Sequence, residues 1–352
     1  MKRLRVGIIG QGRSGFGIHT HSLELMADKF EIAAVCDPLI DRCNDAAEKF
    51  GSKAYADYHE MLKNEKLDLV VNASPSNFHV PITLEIMDAG FNVLCEKPLA
   101  RKVSDVDALI AKSKETGKLF AIYQQSRFAP YFLQVRKVID SGVLGRIVMI
   151  KIAFNGFDRR YDWQTVQEYN GGSLLNTGPH PLDQALQLFG TDVMPNVLCL
   201  MDRVNTYGDA EDHVKLMLSG HGRPTIDLEI SSCSAYPQHT YEIYAENGGL
   251  AGNMTHIDWK YFKPEEAPRH ELSREPLPGR SYCSDDLKWY EESWDVPKEE
   301  STMFEVMAGR LYDTVYNAIV DGKPLVVTPE QVRRQIQVIE ECHKQNPLSR
   351  LG

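Results

Sequence analysis

A mostly apolar run, Leu4-Arg5-Val6-Gly7-Ile8-Ile9, leads straight into Gly10-Gln11-Gly12-Arg13-Ser14-Gly15, and a helical stretch follows. G-x-G-x-x-G in that setting strongly constrains the fold, because it needs a strand on one side and a helix on the other. The first glycine permits a tight turn and the second lets backbone approach a pyrophosphate. The helix start then offers N–H groups and a positive dipole to the anion. A chance glycine cluster is the alternative reading. The next strand, Glu31-Ile32-Ala33-Ala34-Val35-Cys36, argues against chance by ending in Asp37, twenty-two residues after Gly15. A carboxylate there accepts hydrogen bonds from the adenosine ribose and repels a 2′-phosphate, so the sequence favours NAD over NADP. Arg42 is the one basic neighbour that could soften that preference. Gly10, Gly12, Arg13, Ser14, Gly15, Asp37 and Arg42 are the first cofactor candidates.

The alternation continues. A helix over 41–50, a strand near Lys53–Tyr55, a helix over 57–64 and a strand at 67–73 precede a helix over 79–89. A strand at 91–95, a helix over 103–116 and a strand at 119–123 complete the unit. Strands alternating with helices of this length predict a parallel, doubly wound sheet with right-handed crossovers. In such sheets ligands bind outside the carboxyl ends of the strands. Two stretches fall there. Ser74-Pro75-Ser76-Asn77-Phe78-His79 follows one strand, with helix capping by Ser76 or Asn77 as its structural alternative. Val93-Leu94-Cys95-Glu96-Lys97-Pro98 ends another in a charged pair before proline. Alone this would read as a solvated turn; its position makes Lys97 a candidate for chemistry.

A net charge of −10 and a pI near 5.6 argue against a nucleic-acid or anionic-membrane surface. The seven cysteines are odd in number and lack CxxC spacing. They imply reduced thiols in a cytoplasmic protein, without a disulfide framework or a metal site. No apolar run is long enough to predict a membrane span or a signal peptide.

After Tyr123 the periodicity changes. A helix over 128–141 leads to a long strand, 146–154, and strict alternation appears at Val214/Leu216/Leu218, Ile226/Leu228/Ile230 and Tyr241/Ile243/Ala245. One buried and one free face per strand predict an antiparallel sheet, whose free face suits association between copies. The stretch 264–300, with Trp289, Tyr290 and Trp294, reads as a long loop, and helices over 302–321 and 329–345 follow. Between the first long strand and the others lie Arg159-Arg160-Tyr161-Asp162-Trp163 and Asn170-Gly171-Gly172-Ser173-Leu174-Leu175-Asn176-Thr177-Gly178-Pro179-His180-Pro181-Leu182-Asp183. If helical, Asn176 and His180 share a face with Asp183 one turn on, although the prolines make the first turns irregular. His180 could equally be a structural histidine.

Gly10–Gly15, Asp37, the 74–79 turn, Glu96-Lys97-Pro98 and Gly178-Pro179-His180-Pro181-Leu182-Asp183 together resemble the Gfo/Idh/MocA oxidoreductases, from residue 5 to about 345. The resemblance implies an α/β chain with an N-terminal Rossmann domain, taken as 1–124. It also implies a C-terminal α+β domain, 125–352, with a large, mostly antiparallel open sheet that binds substrate and packs in homo-oligomers. It implies NAD(P)-dependent chemistry on sugars and cyclic polyols, with Lys97 as the catalytic lysine at the nicotinamide and His180 as the acid–base histidine. Gly10, Gly12, Gly15, Asp37, Ser74, Asn77, His79 and Glu96 would hold the cofactor. The family often has aspartate where this chain has Asn176, which cannot raise a neighbouring histidine's pKa through charge.

The expected reaction removes hydride from a secondary alcohol while Lys97 and His180 handle the hydroxyl proton and Asn176 orients the sugar. Arg127, Arg159, Trp163 and Tyr236 are further substrate-pocket candidates, tryptophan because its face suits the C–H side of a sugar ring. Two rivals stay open. One is a redox-neutral enzyme that oxidises a glycoside at C3, eliminates or hydrolyses, and returns the hydride. The other is a non-catalytic, NAD-responsive regulator.

Overall fold

A computed structural model describes residues 2–236, 238–272, 274–275, 279 and 283–349. Six strands, β1 (Leu4–Ile9), β2 (Phe30–Cys36), β3 (Lys53–Tyr55), β4 (Leu69–Asn72), β5 (Val93–Cys95) and β6 (Phe120–Ile122), form one parallel sheet in the order β3-β2-β1-β4-β5-β6. Residues of β4, β5 and β6 are all buried, as continuous apolar runs covered on both faces require. Helices α1 (His21–Leu25), α2 (Asp41–Phe50), α3 (Tyr58–Asn64), α4 (His79–Asp88) and α5 (Val103–Thr116) make the crossovers. The helix expected after Gly15 begins differently: Gly15–Thr20 winds as a π-helix before α1 continues it.

Past β6 the chain makes a single 3-10 turn, Gln125–Phe128, so helix α6 starts at Pro130 (Pro130–Asp140) rather than at 128. Proline at the first helical position sacrifices no helical hydrogen bond. Strand β7 (Ile147–Asn155) then enters a second sheet with β8 (Asn196–Asp202), β9 (His213–Ser219), β10 (Thr225–Ser231), β11 (Tyr241–Ala245), β12 (Gly248–Gly252), β13 (His256–Tyr261) and β14 (Tyr290–Asp295). Its order is β14-β13-β12-β11-β7-β10-β9-β8, and every pairing is antiparallel except β7 with β10. Two short helices, α7 (Ser173–Asn176) and α8 (Pro179–Phe189), precede β8.

Strand β14 corrects the expectation of an unbroken loop over 264–300. Its Tyr-Glu-Glu-Ser-Trp-Asp sequence lacks apolar alternation, and pairing holds it: Ile257 opposes Trp294, and Tyr261 stacks on Tyr290 at 5.6 Å. Charged side chains on an edge strand discourage edge-to-edge pairing. Residues 273, 276–278 and 280–282 of that stretch lie outside the described residues.

Two helices close the chain. Helix α10 (Pro329–Gln345) starts on a capping box between Thr328 and Gln331. Helix α9 (Met303–Asp321) packs on the first sheet: Ala308, Leu311, Tyr312, Val315 and Tyr316 share a core with Leu4, Val6, Ile8 and Phe30. A division at 124/125 therefore leaves in the second part a helix that shares a core with strands of the first. The larger core is also shared, running from Val70, Val93 and Phe120 through Phe132 and Leu182 to Ile150, Leu216 and Leu228.

Candidate active site

The strand order reverses between β1 and β4, and the loops beyond these strands meet there. Gly10 has φ +89°, and a Cβ on it would lie 2.3 Å from the Ala73 carbonyl oxygen beyond β4. A Cβ on Gly15 would lie 1.7 Å from the Gly10 oxygen, whereas Gly12 faces open space with only Arg42 at 3.9 Å. The outer glycines thus close the turn, and the middle one leaves room for a ligand. Asp37 accepts from the backbone N–H groups of Gln11 (2.8 Å) and Leu39 (2.9 Å), and Arg42 lies 3.6 Å from the same carboxylate. Arg42 is therefore the partner of Asp37. The arrangement suits a ribose better than a 2′-phosphate.

This crevice is a cavity of about 290 Å³ lined by Gly10, Gly12, Arg13, Ser14, Asp37, Ser74, His79, Glu96 and Lys97 on one side and Asp162, Trp163 and Gln164 on the other. Beyond β4, the Ser74 hydroxyl donates to Asn72 Oδ1 at 2.7 Å. The His79 ring spans two loops, with Nδ1 2.7 Å from the Pro98 oxygen and Nε2 2.8 Å from the Ser74 oxygen. Burial pushes its pKa down. Asn77 sits in the intervening turn with Oδ1 buried and unpartnered.

Beyond β5, Glu96 is buried and accepts from His19 Nε2 at 3.0 Å and from the Lys97 backbone N–H at 3.0 Å. Burial opposes its ionisation, but the His19 hydrogen bond and the Lys97 charge outweigh burial and hold the carboxyl well below the usual glutamate range. The Lys97–Pro98 peptide is cis. Lys97 Nζ donates to the backbone oxygen of Asn176 at 2.9 Å. Burial lowers its pKa, opposed by the Glu96 charge and reinforced by Arg13 and Arg160.

Asn176 also lines a second cavity of about 120 Å³, with Asp158, Arg160, Gln164, Thr177, Thr206 and Glu211 among its walls. Gln164 is common to both cavities, and Lys97, in the wall of the first, donates to Asn176 in the wall of the second. His180 opens α8 with Nδ1 buried and unpartnered. Burial and then the Lys97 charge press its pKa down to about 3, so the ring is neutral at neutral pH. Glu211 accepts from the Leu174 N–H at 3.0 Å, and burial raises its carboxyl to about 7.

Several expectations on the substrate side are corrected. Arg127 is buried in an ion pair with Asp183 and also donates to Gln331 and the Val326 oxygen, which makes it a core tether. Asp183 is therefore spent on Arg127. Arg159 turns away to Tyr207, with its guanidinium 5.1 Å from that ring; Arg160 lines the pocket instead. Trp163 faces the cofactor crevice, edge-on to Tyr169. Tyr236 is 85% exposed and lines neither cavity. Asn176 and His180 do not share one helix, because the chain breaks at Thr177-Gly178 between α7 and α8. Asn176 meets Lys97 through its backbone, a contact that aspartate would make equally.

Sequence reasoning missed Arg160, Glu211, His19 and Tyr312. The run Asp209-Ala210-Glu211-Asp212 carried a signal, since acids directly ahead of an alternating strand are buried here, and Asp212 caps the N–H groups of Val204, Asn205 and Thr206.

Residues 4–124 match an oxidoreductase family described by its NAD-binding Rossmann fold, and residues 132–251 match the GFO/IDH/MocA C-terminal domain. The chain belongs to the GFO/IDH/MocA oxidoreductase family. Among GFO/IDH/MocA-like relatives, an uncharacterized oxidoreductase of Schizosaccharomyces pombe is 25% identical, covering 99% of this chain and 98% of its own. The D-glucoside 3-dehydrogenase of Escherichia coli is 31% identical over 55% of this chain and 56% of its own. The WlbA dehydrogenase of Bordetella pertussis, solved with NADH and UDP-GlcNAcA, superposes with a TM-score of 0.78 at 21% identity, covering 100% of this chain and 99% of that one. NAD is the family's cofactor, and the Gly10–Gly15 turn with Asp37 fits it.

Proposed function

We propose that this protein oxidises a secondary hydroxyl of a sugar, glycoside or cyclic polyol. One arrangement carries the reading: Lys97, at the carboxyl end of β5, lines the cofactor crevice, donates to the backbone of Asn176 in the wall of the polar cavity, and acts through its charge on a buried, neutral His180. The names of relatives support the substrate class, D-glucoside 3-dehydrogenase at 31% identity and myo-inositol 2-dehydrogenase of Thermotoga maritima at 29%.

Bound NAD⁺ supplies the hydride acceptor. Within the turn closed by Gly10 and Gly15, Gly12, Arg13 and Ser14 would hold its phosphates, Asp37 its ribose, and Ser74, Asn77, His79 and Glu96 the remainder. Lys97 takes the hydroxyl proton. Its lowered pKa leaves more free amine near neutrality, which is what a general base requires. His180, too weak a base to hold a proton there, accepts a hydrogen bond and orients the alcohol. Arg160, Asn176 and Thr206 offer polar groups to the remaining hydroxyls.

The outer face of the second sheet exposes Leu198, Leu200 and Tyr244 among ion pairs such as Lys215–Asp227, which supports association of copies through it. All seven cysteines are unpaired, in keeping with a reducing, cytoplasmic setting. No helix among the described residues is long and apolar enough to cross a membrane.

The deciding experiment offers NAD⁺ with inositols, free aldoses and O- or C-glycosides, following nicotinamide absorbance and substrate loss together. Stoichiometric NADH on one of these upholds the reading. Glycoside loss without NADH replaces it with redox-neutral processing, and NAD binding with no turnover on any of them replaces it with a regulatory role.

A further inference from the structure

We propose that His19 and Tyr312 are positioning residues that hold Glu96 as the fixed counter-charge of Lys97. The inference rests on the reading of Lys97 as the base. Three elements distant in sequence contribute: His19 from the π-helical turn after the glycine loop, Glu96 from the end of β5, and Tyr312 from α9. Tyr312 Oη lies 2.7 Å from His19 Nδ1, and His19 Nε2 lies 3.0 Å from Glu96 Oε1. His19 and Tyr312 are 0% exposed and Glu96 is 4% exposed, so water does not complete these contacts.

A carboxylate can only accept, so Nε2 carries a hydrogen toward Glu96. The phenol then donates to Nδ1, and a neutral imidazole satisfies every partner. Burial holds the Tyr312 hydroxyl proton firmly, so the phenol stays a donor. Tyr123 packs edge-on against the His19 ring at 4.4 Å and limits its tilt. Each Glu96 oxygen then has a donor, His19 on one and the Lys97 N–H on the other.

The consequence falls on Lys97. Among the groups that face it, Glu96 is the anion; Arg13 from the glycine loop and Arg160 from beyond β7 are cations, and His180 from α8 and His79 from α4 are buried imidazoles with lowered pKa. Without the His19 donor, burial dominates at Glu96 and favours its protonated form. Lys97 then keeps its cationic neighbours and loses its anion, and its proton affinity falls. A relay that only tied α9 to the first sheet would leave that affinity unchanged.

Lys97 can be titrated without a substrate. The full-length protein, free of NAD, is labelled with trace acetic anhydride from neutral to alkaline pH, and acetylation of the Lys97 peptide is quantified by mass spectrometry. His19→Leu and Glu96→Gln should lower the labelling midpoint by about one pH unit, the scale of one neighbouring charge. His19→Gln should keep the wild-type midpoint, because its amide can donate to Glu96 and accept from Tyr312. Tyr312→Phe should shift it the same way by less. If His19→Leu does not fold, Tyr312→Phe, which loses a single oxygen, carries the test. An unmoved midpoint in folded His19→Leu or Tyr312→Phe overturns the inference. Because no turnover is measured, that failure would leave the dehydrogenase reading to its own test.

Discussion

Gly10, Ser74, Glu96 and Lys97 lie within two residues of strand ends in a single parallel sheet, whereas Asp158, Arg160, Asn176 and Glu211 come from turns and short helices flanking strands of another sheet. The first wall is fixed by a topology that repeats, so each functional residue occupies an equivalent place. The second is fixed by particular contacts: Arg160 held by Asp162 and Gln164, Glu211 by the Leu174 N–H. A regular sheet makes cofactor chemistry portable, and irregular loops make the substrate side individual.

The sharpest test of this contrast is Lys97→Ala, which should cut turnover about 10³-fold, roughly 4 kcal/mol of transition-state stabilisation, with NAD affinity held within about threefold. Steady-state kinetics beside nicotinamide fluorescence would check it; wild-type turnover would sink the assignment. Next in size is a stability effect on the substrate wall. Glu211 titrates at about 7 in the fold against 4.5 for a free glutamate, so its contribution is complete below 4.5 and lost as pH rises to 7. Glu211→Gln should remove that decline, about 3 kcal/mol, in denaturant midpoints measured across the window. His180 runs the other way. Its pKa of about 3 lies below the ordinary 6.5, so its contribution is full above 6.5 and lost as pH falls toward 3, and His180→Gln should flatten the acid side of the same curve. A smaller effect separates neighbours: Arg160→Met should raise KM about tenfold, the scale of one charge-assisted hydrogen bond, while Arg159→Met leaves it unchanged. Tyr236→Ala should change neither KM nor turnover, and a changed KM would return that residue to the site.

The same contrast explains what could be read in advance. Gly10–Gly15, Asp37 and Glu96-Lys97-Pro98 were legible because a glycine turn and strand ends have short-range signatures. Strict alternation likewise announced β9, β10 and β11. Arg127 misled because a basic residue just beyond β6 looks ligand-facing until Asp183, fifty-six positions away, is known to neutralise it. Arg159 and Arg160 were indistinguishable by type, and only the fold of their turn decides which faces the pocket. His19 and Tyr312, 293 positions apart, carry no local signal of their meeting. Strand β14 was hidden because its partner, not its own pattern, makes it a strand.

Helix α9 changes what counts as a transferable unit in this architecture. Its buried Leu311, Tyr312, Val315 and Tyr316 amount, at about 1.5–3 kcal/mol each, to a sum on the scale of a whole domain's net stability. A chimaera spliced after residue 124 would give the cofactor sheet a foreign helix, and a foreign neighbour for His19. The inheritable cassette is therefore discontinuous: residues 4–124 together with 303–321, and with helix α10, whose Val332, Ile336 and Ile339 share the core of Val106, Leu109 and Phe120. Exchange of substrate domains among relatives should conserve those segments as one piece, with the intervening sheet as the replaceable insert.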